Sequence, residues 1–296
     1  MNKYRGEIDG LRGIAILGVV IYHAELLINN NHLFPGGFLG VDIFLVISGF
    51  LITRIINDEY TKEGKFSFKK FYQRRFRRLI PALTVVVIIS TIFAFFTLYP
   101  SQFLFFLKSA FSSIFFFSNI FFHYTGESYG QSILTTIPLL HTWSLSLEEQ
   151  FYLFFPVLLF IIYKFREDKI NFFLLLFFLI SLSFAITINP NYSSFNFYML
   201  PSRGWEFILG ALLAVNENKN LFKKNSLLPS LISYAGLMLI FYSFITFENT
   251  NEHPGISTLL PTFGTALIII SSNSKNYINF LLSNSIIKKL GLISYS

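Results

Sequence analysis

The stretch that decides the fold runs from residue 8 to residue 28 and reads IDGLRGIAILGVVIYHAELLI. It is apolar enough to span a membrane, yet it contains Arg12 and His23. Eleven residues make three helical turns plus about 20°, so both side chains project from one face of a helix, about 16 Å apart along its axis. Ionisable groups inside a bilayer are costly and indicate function. The alternative places the two residues at opposite membrane interfaces, with the arginine reaching lipid headgroups.

The composition of the whole chain agrees with a membrane protein. Of the 296 residues, 53% are hydrophobic and 13% are charged, and the mean hydropathy is +0.56. This composition predicts an all-α, polytopic bundle of transmembrane helices. The net charge of +7 therefore informs topology and does not indicate nucleic-acid binding. Because the chain has no cysteine, it has no disulfides, cysteine nucleophiles or thiolate metal sites.

Nine apolar segments are candidate spans: 11–28, 38–57, 79–98, 103–122, 143–163, 170–188, 202–215, 228–247 and 257–273. The loop from Asp58 to Arg78 contains eight Lys and Arg residues, which predicts that this loop and the N-terminus are cytoplasmic. If segment 103–122 crosses the membrane, the basic loops at 164–169 and 216–224 lie outside. If it is re-entrant or interfacial, they lie inside together with Lys275, Lys288 and Lys289. We favour the second arrangement, with which Lys108 inside the segment agrees, and predict eight spans.

The organisation of the chain indicates one domain. No internal repeat or linker divides residues 1–296. The last residues read KKLGLISYS, a basic turn followed by what reads as the beginning of another span. We therefore expect an integral-membrane domain that is incomplete at its C-terminus; the alternative is an unusually short final element.

Two motifs near the first spans contain candidate binding residues. In PGGFLGVDIFLVISGFLI (35–52), Asp42 either needs a partner inside the bundle or caps the helix after the Pro-Gly-Gly turn. In FYQRRFRRLIPAL (71–83), Arg75 and Arg78 are spaced i, i+3, so their guanidinium groups are able to grip phosphates together. A coenzyme A nucleotide fits this pair, and anionic lipid headgroups fit it equally well from charge alone.

A third motif, LLHTWSLSLEEQFYL (139–153), opens a long apolar run with polar residues. Trp143 is typical of a membrane-interface anchor, and Ser144 lies one turn from Glu148. Because Glu148 and Glu149 lie about a turn into a membrane helix, we predict that at least one of them faces the protein interior.

A fourth motif, LPSRGWEFILGALLA (200–214), places Arg203 and Glu206 at i, i+3, a spacing at which they neutralise one another inside a bundle. His32, His123 and His253 are predicted to lie in loops. Their spacing does not indicate a metal site, and we predict none.

These motifs, in the same order along essentially the whole chain, resemble the acyltransferase-3 family of integral-membrane acyltransferases. The segments that carry the resemblance are IDGLRGIAI, PGGFLGVDIFLVISGFLI, FYQRRFRRLIPAL, LLHTWSLSLEEQFYL, LPSRGWEFILGALLA and LGLISYS. The third and fourth motifs look most like the bacterial branch that O-acetylates surface polysaccharides. Members of that branch often carry further spans and an extracytoplasmic SGNH-type domain, which this sequence does not contain.

The resemblance implies transfer of an acyl group, most often acetyl from acetyl-CoA, to a hydroxyl of an extracytoplasmic glycan such as O-antigen, exopolysaccharide or peptidoglycan. It implies no tightly bound cofactor and a location in the cytoplasmic membrane. His23 would act as general base or transient acyl carrier, because a neutral imidazole is suited to removing a hydroxyl proton near pH 7. Arg12 would orient the donor or stabilise negative charge. Arg75 and Arg78 match the family's Arg-x-x-Arg pattern and would hold the CoA phosphates.

The remaining candidates are expected to line the path of the substrates. Glu148 and Glu149 are expected to be catalytic as well, by tuning His23, and the residues of the path alone are Asp42, Ser144, Trp143, Arg203 and Glu206. Two other classes of protein also need charged residues inside a bundle: a transporter or flippase for lipid-linked sugars, and a non-catalytic membrane partner of a polysaccharide assembly complex.

Overall fold

The computed structural model describes residues 4–29, 31–125, 138–188, 192–217, 227–248, 253–272 and 276–294. Within these ranges the chain forms thirteen α-helices and one hairpin of two-residue strands, β1 (Leu27–Ile28) and β2 (Asn31–His32). The helices are α1 (Gly6–His23), α2 (Gly40–Glu63), α3 (Phe68–Thr97), α4 (Pro100–Ile114), α5 (Ser118–Tyr124), α6 (Thr142–Arg166), α7 (Ile170–Ile188), α8 (Ser193–Tyr198), α9 (Leu200–Val215), α10 (Leu228–Thr246), α11 (Leu259–Ser271), α12 (Tyr277–Leu282) and α13 (Ser285–Ile293). The predicted all-α membrane bundle is confirmed.

Four helical stretches of the described chain are long and apolar enough to cross a membrane. They are Gly37–Glu63, Phe68–Thr97, Thr142–Ile188 and Leu228–Thr246. The third contains both α6 and α7, which are separated at Arg166, where φ is −151° and ψ is 48°. The count of eight spans stays a prediction. Part of the topology prediction rests on Lys275 and the basic residues at 219–224, which lie outside the described residues.

The first two long helices are antiparallel and define the two ends of the bundle. The guanidinium of Arg5 lies 5.2 Å from the ring of Phe50, and that of Arg12 lies 6.0 Å from the ring of Phe44. We call the end where α1 finishes at His23 the histidine end. The opposite end, where residues 64–67 join α2 to α3, is called the loop end.

The basic run before the third predicted span is helical, although the sequence predicted a loop that extends to Arg78. Gly64 ends α2 in a left-handed conformation, with φ of 65°. Ser67 then caps α3 by accepting a hydrogen bond from the backbone N–H of Lys70 at 3.4 Å. Because α3 begins ten residues earlier than Arg78, Arg75 and Arg78 lie on its helical surface, one turn apart.

Segment 103–122 is not one continuous helix. It forms α4 and α5, which are separated at Phe115–Phe117, and Phe116 has a positive φ of 58°. Serine hydroxyls on the two sides of this break lie against the start of α6: Ser113 of α4 pairs with Thr142 at 2.7 Å, and Ser118 of α5 pairs with Ser146 at 2.7 Å. A helix of fifteen residues is about 22 Å long, shorter than the hydrocarbon core of a bilayer. This geometry is consistent with a re-entrant or interfacial element.

Glycines bring the central helices into close contact. A Cβ atom at Gly49 on α2 would lie 1.9 Å from the carbonyl oxygen of Phe207 on α9, and one at Gly210 would lie 2.0 Å from that of Val46. Gly13 on α1 faces Ile287 of α13 in the same way, at 2.3 Å. Small residues allow such backbone contact between membrane helices. The α2–α9 contact is what holds Asp42 and Arg203 against one another.

Substitution of Gly49 by alanine is expected to destabilise the bundle by about 1–3 kcal/mol, because the added methyl group would force α2 and α9 apart. Thermal unfolding of the detergent-purified protein measures this effect. Gly6→Ala is the matched control, since a Cβ at Gly6 meets its nearest atom at an ordinary 3.5 Å. Equal unfolding temperatures for the two variants would contradict the close contact of α2 with α9.

Candidate functional site

A cavity of about 530 Å³ lies among α1, α2, α3 and α6. Seven of the eleven site residues predicted from the sequence line it: Arg12, His23, Arg75, Arg78, Trp143, Ser144 and Glu148. Most of its remaining wall is aliphatic, with side chains such as Ile16, Leu51 and Leu83. The chain therefore gathers its predicted polar residues around one apolar space, although they are distant in sequence. Their chemical roles stay predictions.

The arginines and the histidines line different parts of this cavity. Arg12 and His23 both lie on α1 and both line the cavity, as their eleven-residue spacing predicted. Three turns of helix, about 16 Å, separate them. Arg12 interacts electrostatically with Glu148 and Arg78. His23 interacts in the same way with His141. The cavity thus has an arginine part towards the loop end and a histidine part towards the histidine end.

Arg75 is the centre of the arginine part. Its guanidinium lies 3.6 Å from the ring centroid of Tyr152, a cation–π contact. It also forms ion pairs with Glu148 at 3.7 Å and with Glu149 at 3.6 Å. Glu148 accepts hydrogen bonds from the hydroxyls of Ser48 and Tyr152 as well. One carboxylate is therefore tied to three helices, and it partly neutralises the arginines of the cavity.

The adjacent acids, Glu148 and Glu149, are in different positions. Glu148 lines the cavity and Glu149 does not. Both side chains are less than one-fifth exposed, and both pair with Arg75. The expectation that at least one acid faces the interior is met by this geometry. Glu148 is the one that reaches the cavity.

Asp42, Arg203 and Glu206 were expected to line the substrate path, and the structure places them behind the cavity wall instead. All three are completely buried. Arg203 forms ion pairs with Asp42 at 2.5 Å and with Glu206 at 2.8 Å, so the i, i+3 pairing of Arg203 with Glu206 is present. Taking these charges out of water is costly, and the ion pairs that they form with one another offset part of that cost.

His253 belongs to the same buried cluster, although the sequence placed it in a loop without a role. Its Nε2 lies 3.6 Å from Asp42, and its Nδ1 shares a 3.1 Å hydrogen bond with the hydroxyl of Thr258. Burial lowers the pKa of His253 to about 4 and outweighs the opposing effect of the Asp42 charge, so the imidazole is neutral at pH 7. His253 does lie in a loop, as predicted, whereas His123 lies in α5, with its Nδ1 3.1 Å from Ser194 Oγ.

Sequence reasoning did not select three residues that line the cavity: His141, Ser48 and Tyr152. Tyr152 lies one helical turn after Glu148, a spacing that would have indicated a shared face. His141 stands two residues before Trp143, in the motif that also contains Ser144 and Glu148. No group of three or more His, Cys, Asp and Glu that could hold a metal ion occurs among the residues for which positions are described.

The fold and the cavity define a helical membrane protein with a largely apolar internal cavity into which arginine, histidine and glutamate side chains project. The family described as "Acyltransferase domain" matches residues 5–296. The chain belongs to this acyltransferase-3 family.

The names of curated relatives agree with membership of this family. The peptidoglycan O-acetyltransferase OatA of Listeria monocytogenes is 40% identical over 167 residues, which are 56% of this chain and 26% of that protein. The O-acetyltransferase OatA of Staphylococcus aureus is 36% identical over 216 residues, 72% of this chain and 34% of that protein. A provisionally named O-acetyltransferase of Staphylococcus aureus is 33% identical over 309 aligned positions, 99% of this chain and 49% of that protein.

The chain spans at most about half the length of these curated relatives. No solved structure matches the chain significantly.

Proposed function

We propose that this chain transfers an acyl group, acetyl from acetyl-CoA, across the membrane to a hydroxyl of an extracytoplasmic glycan. The observation that carries the proposal is the single cavity with arginines in one part and histidines in the other. Such a cavity suits a reaction whose anionic donor and neutral acceptor approach from opposite sides. The basic residues around the loop end favour a cytoplasmic loop end and N-terminus in a bacterial cytoplasmic membrane.

The donor is proposed to bind at the arginine part. Acyl-CoA carries several phosphate charges, and guanidinium groups bind phosphate through paired hydrogen bonds. Arg75 and Arg78 both line the cavity one helical turn apart, and Arg12 faces them from α1. Glu148 keeps Arg75 in place through its ion pair. The aliphatic wall beyond these residues suits the uncharged arm of the thioester.

The acceptor hydroxyl is proposed to meet the thioester at the histidine part. Neutral His23 removes the hydroxyl proton as the oxygen attacks the thioester carbonyl. The new C–O bond forms, the C–S bond breaks, and the CoA thiolate takes up a proton. The arginines lie about three helical turns from His23, so they act on the donor phosphates and orient the thioester for this attack.

The acceptor class is proposed from the relative in Listeria monocytogenes that is named a peptidoglycan O-acetyltransferase. A cell-wall glycan of the peptidoglycan type is accordingly the first acceptor to test. An extracytoplasmic SGNH-type domain, whether on the same protein or a separate one, is the partner that the family resemblance implies for the last transfer.

Reconstituted vesicles test this function directly. The protein is supplied with radiolabelled acetyl-CoA on one side and a peptidoglycan-type glycan on the other. Label that reaches the glycan only when the protein is present supports the proposal. Movement of unlabelled glycan across the membrane would identify a transporter. If neither label transfer nor glycan movement occurs, even after an SGNH-type domain is added, the protein is a non-catalytic partner.

Conversion of Arg75 to lysine is expected to raise the KM for acetyl-CoA about tenfold, because an ammonium cannot reproduce a two-bond grip on phosphate. The initial rate of labelled-product formation at varied acetyl-CoA concentrations gives the KM. Arg74→Lys is the matched control, since the Arg74 side chain is 59% exposed and the residue does not line the cavity. Equal loss of membrane insertion and of donor use in Arg75→Lys would favour a purely topological role for the basic run.

A further inference from the structure

The buried cluster of Asp42, Arg203, Glu206 and His253, here called the ionic cluster, lies behind the wall of the cavity. Trp143 and Val41 line both the cavity and the small void beside Arg203 and His253. Trp143 is only 2% exposed, and the guanidinium of Arg203 lies 5.5 Å from its ring. Trp143 therefore lies between the charges and the cavity and contacts both.

We infer that the ionic cluster is a positioning device, which holds Trp143 and through it the first turn of α6 against the cavity. This inference rests on the proposed function, because it assigns the cluster a part in that same site. The cluster does not touch the substrates, since none of its four residues lines the cavity.

The cluster is rigid because it ties three separate parts of the chain together. Asp42 comes from α2, Arg203 and Glu206 from α9, and His253 from the segment before α11. That segment is anchored in turn by Asn196, whose side-chain amide donates to the carbonyl of Pro254 at 2.9 Å. Separating buried ion pairs costs much free energy, because it leaves charges without partners inside the protein. The ion pairs with Asp42 and Glu206 therefore hold the Arg203 guanidinium in place.

Trp143 contacts Arg203 and two aromatic residues that directly precede α9. Its ring centroid lies 4.6 Å from that of Phe197 and 5.7 Å from that of Tyr198, and Phe197 also contacts Arg203 at 5.7 Å. A cation over an indole face is the strongest of the common cation–π contacts. The orientation of the indole is accordingly set by Arg203 and its aromatic neighbours.

The position of Trp143 matters because the residues beside it line the cavity. His141, Thr142 and Ser144 all reach the reaction space. Thr142 is also hydrogen-bonded to Ser113 at 2.7 Å, which fixes the other side of the turn. A tilt of the indole would displace this turn relative to His23, and a misplacement of about 1 Å lowers rates by about a hundredfold.

The test uses the full chain in lipid nanodiscs, with Trp205→Phe as background so that Trp143 is the remaining tryptophan. Arg203→Lys keeps the charge and loses the planar group. We expect red-shifted Trp143 fluorescence, a kcat at least about tenfold lower and little change in the donor KM. Arg74→Lys, the same change at an exposed site, is the control.

A double-variant comparison separates positioning from general destabilisation. If Arg203 acts through Trp143, Trp143→Phe combined with Arg203→Lys lowers kcat no further than Trp143→Phe alone. The inference is overturned if the double variant lowers kcat by the product of the two single-variant factors. An unchanged Trp143 spectrum in Arg203→Lys also overturns it.

One further variant tests the inference if Arg203→Lys is unstable. If Arg203→Lys does not fold, His253→Gln perturbs the edge of the cluster more gently and is expected to shift the Trp143 spectrum in the same direction; no shift overturns the inference. Failure of the proposed function is recognised separately, because the parent protein would then transfer no acetyl while the spectrum would still report on the cluster.

Discussion

Replacing His23 by alanine is expected to abolish acetyl transfer, with a fall in kcat of about 10²–10⁴. The reason is that the substitution removes the imidazole that takes the proton from the acceptor hydroxyl. Donor binding should change little, since Arg12, Arg75 and Arg78 remain in the cavity. Label transfer from acetyl-CoA to glycan measures the rate, and binding of a non-hydrolysable acetyl-CoA analogue measures the donor affinity.

Two other histidines make this test specific. His32 is exposed in β2, so His32→Ala should leave the rate unchanged. His141 lines the same cavity as His23, so His141→Ala should reduce the rate without abolishing it. Full activity in His23→Ala together with complete loss in His141→Ala would contradict the assignment and make His141 the base.

The shared face of Arg12 and His23 could be predicted because helical periodicity is a local property. A continuous helix fixes the angle between two of its residues whatever surrounds it, and α1 is continuous from Gly6 to His23. The predicted segment continued to residue 28, but α1 ends at His23 and a short hairpin follows. Hydropathy alone does not reveal such an ending, because Leu26, Leu27 and Ile28 are apolar and yet exposed.

The helical character of the basic run was missed for a related reason. Positive charge indicates the side of the membrane and says nothing about backbone conformation. Gly64 and Ser67 are the local signals that would have shortened the loop, since one is a typical helix end and the other a typical helix start.

The ionic cluster could be predicted only in part. The spacing of Arg203 and Glu206 indicated a pair, because residues i and i+3 are neighbours on a helix. The pairing of Arg203 with Asp42 spans 161 positions and depends on how α2 meets α9, which the composition of neither segment specifies. His253 gave no signal, because a histidine in an apparent loop is usually solvated, whereas this one is buried beside Asp42.

Substitution of Glu148 by glutamine is expected to lower kcat by about 10²-fold, because Arg75 loses the carboxylate that holds it over Tyr152. The change keeps the size of the side chain, so packing should be preserved. The KM for acetyl-CoA should also rise, because the displaced Arg75 is the group proposed to grip the donor phosphates. Steady-state kinetics with varied acetyl-CoA separates the two effects.

Glu149→Gln is the matched control, with the same change in charge at the adjacent position. Glu149 pairs with Arg75 but does not line the cavity, so its substitution should change kcat only a few-fold. A larger loss in Glu149→Gln than in Glu148→Gln would reverse the assignment of the two acids. Equal losses would show that Arg75 needs both carboxylates, and the distinct role of Glu148 as the acid of the cavity would then be wrong.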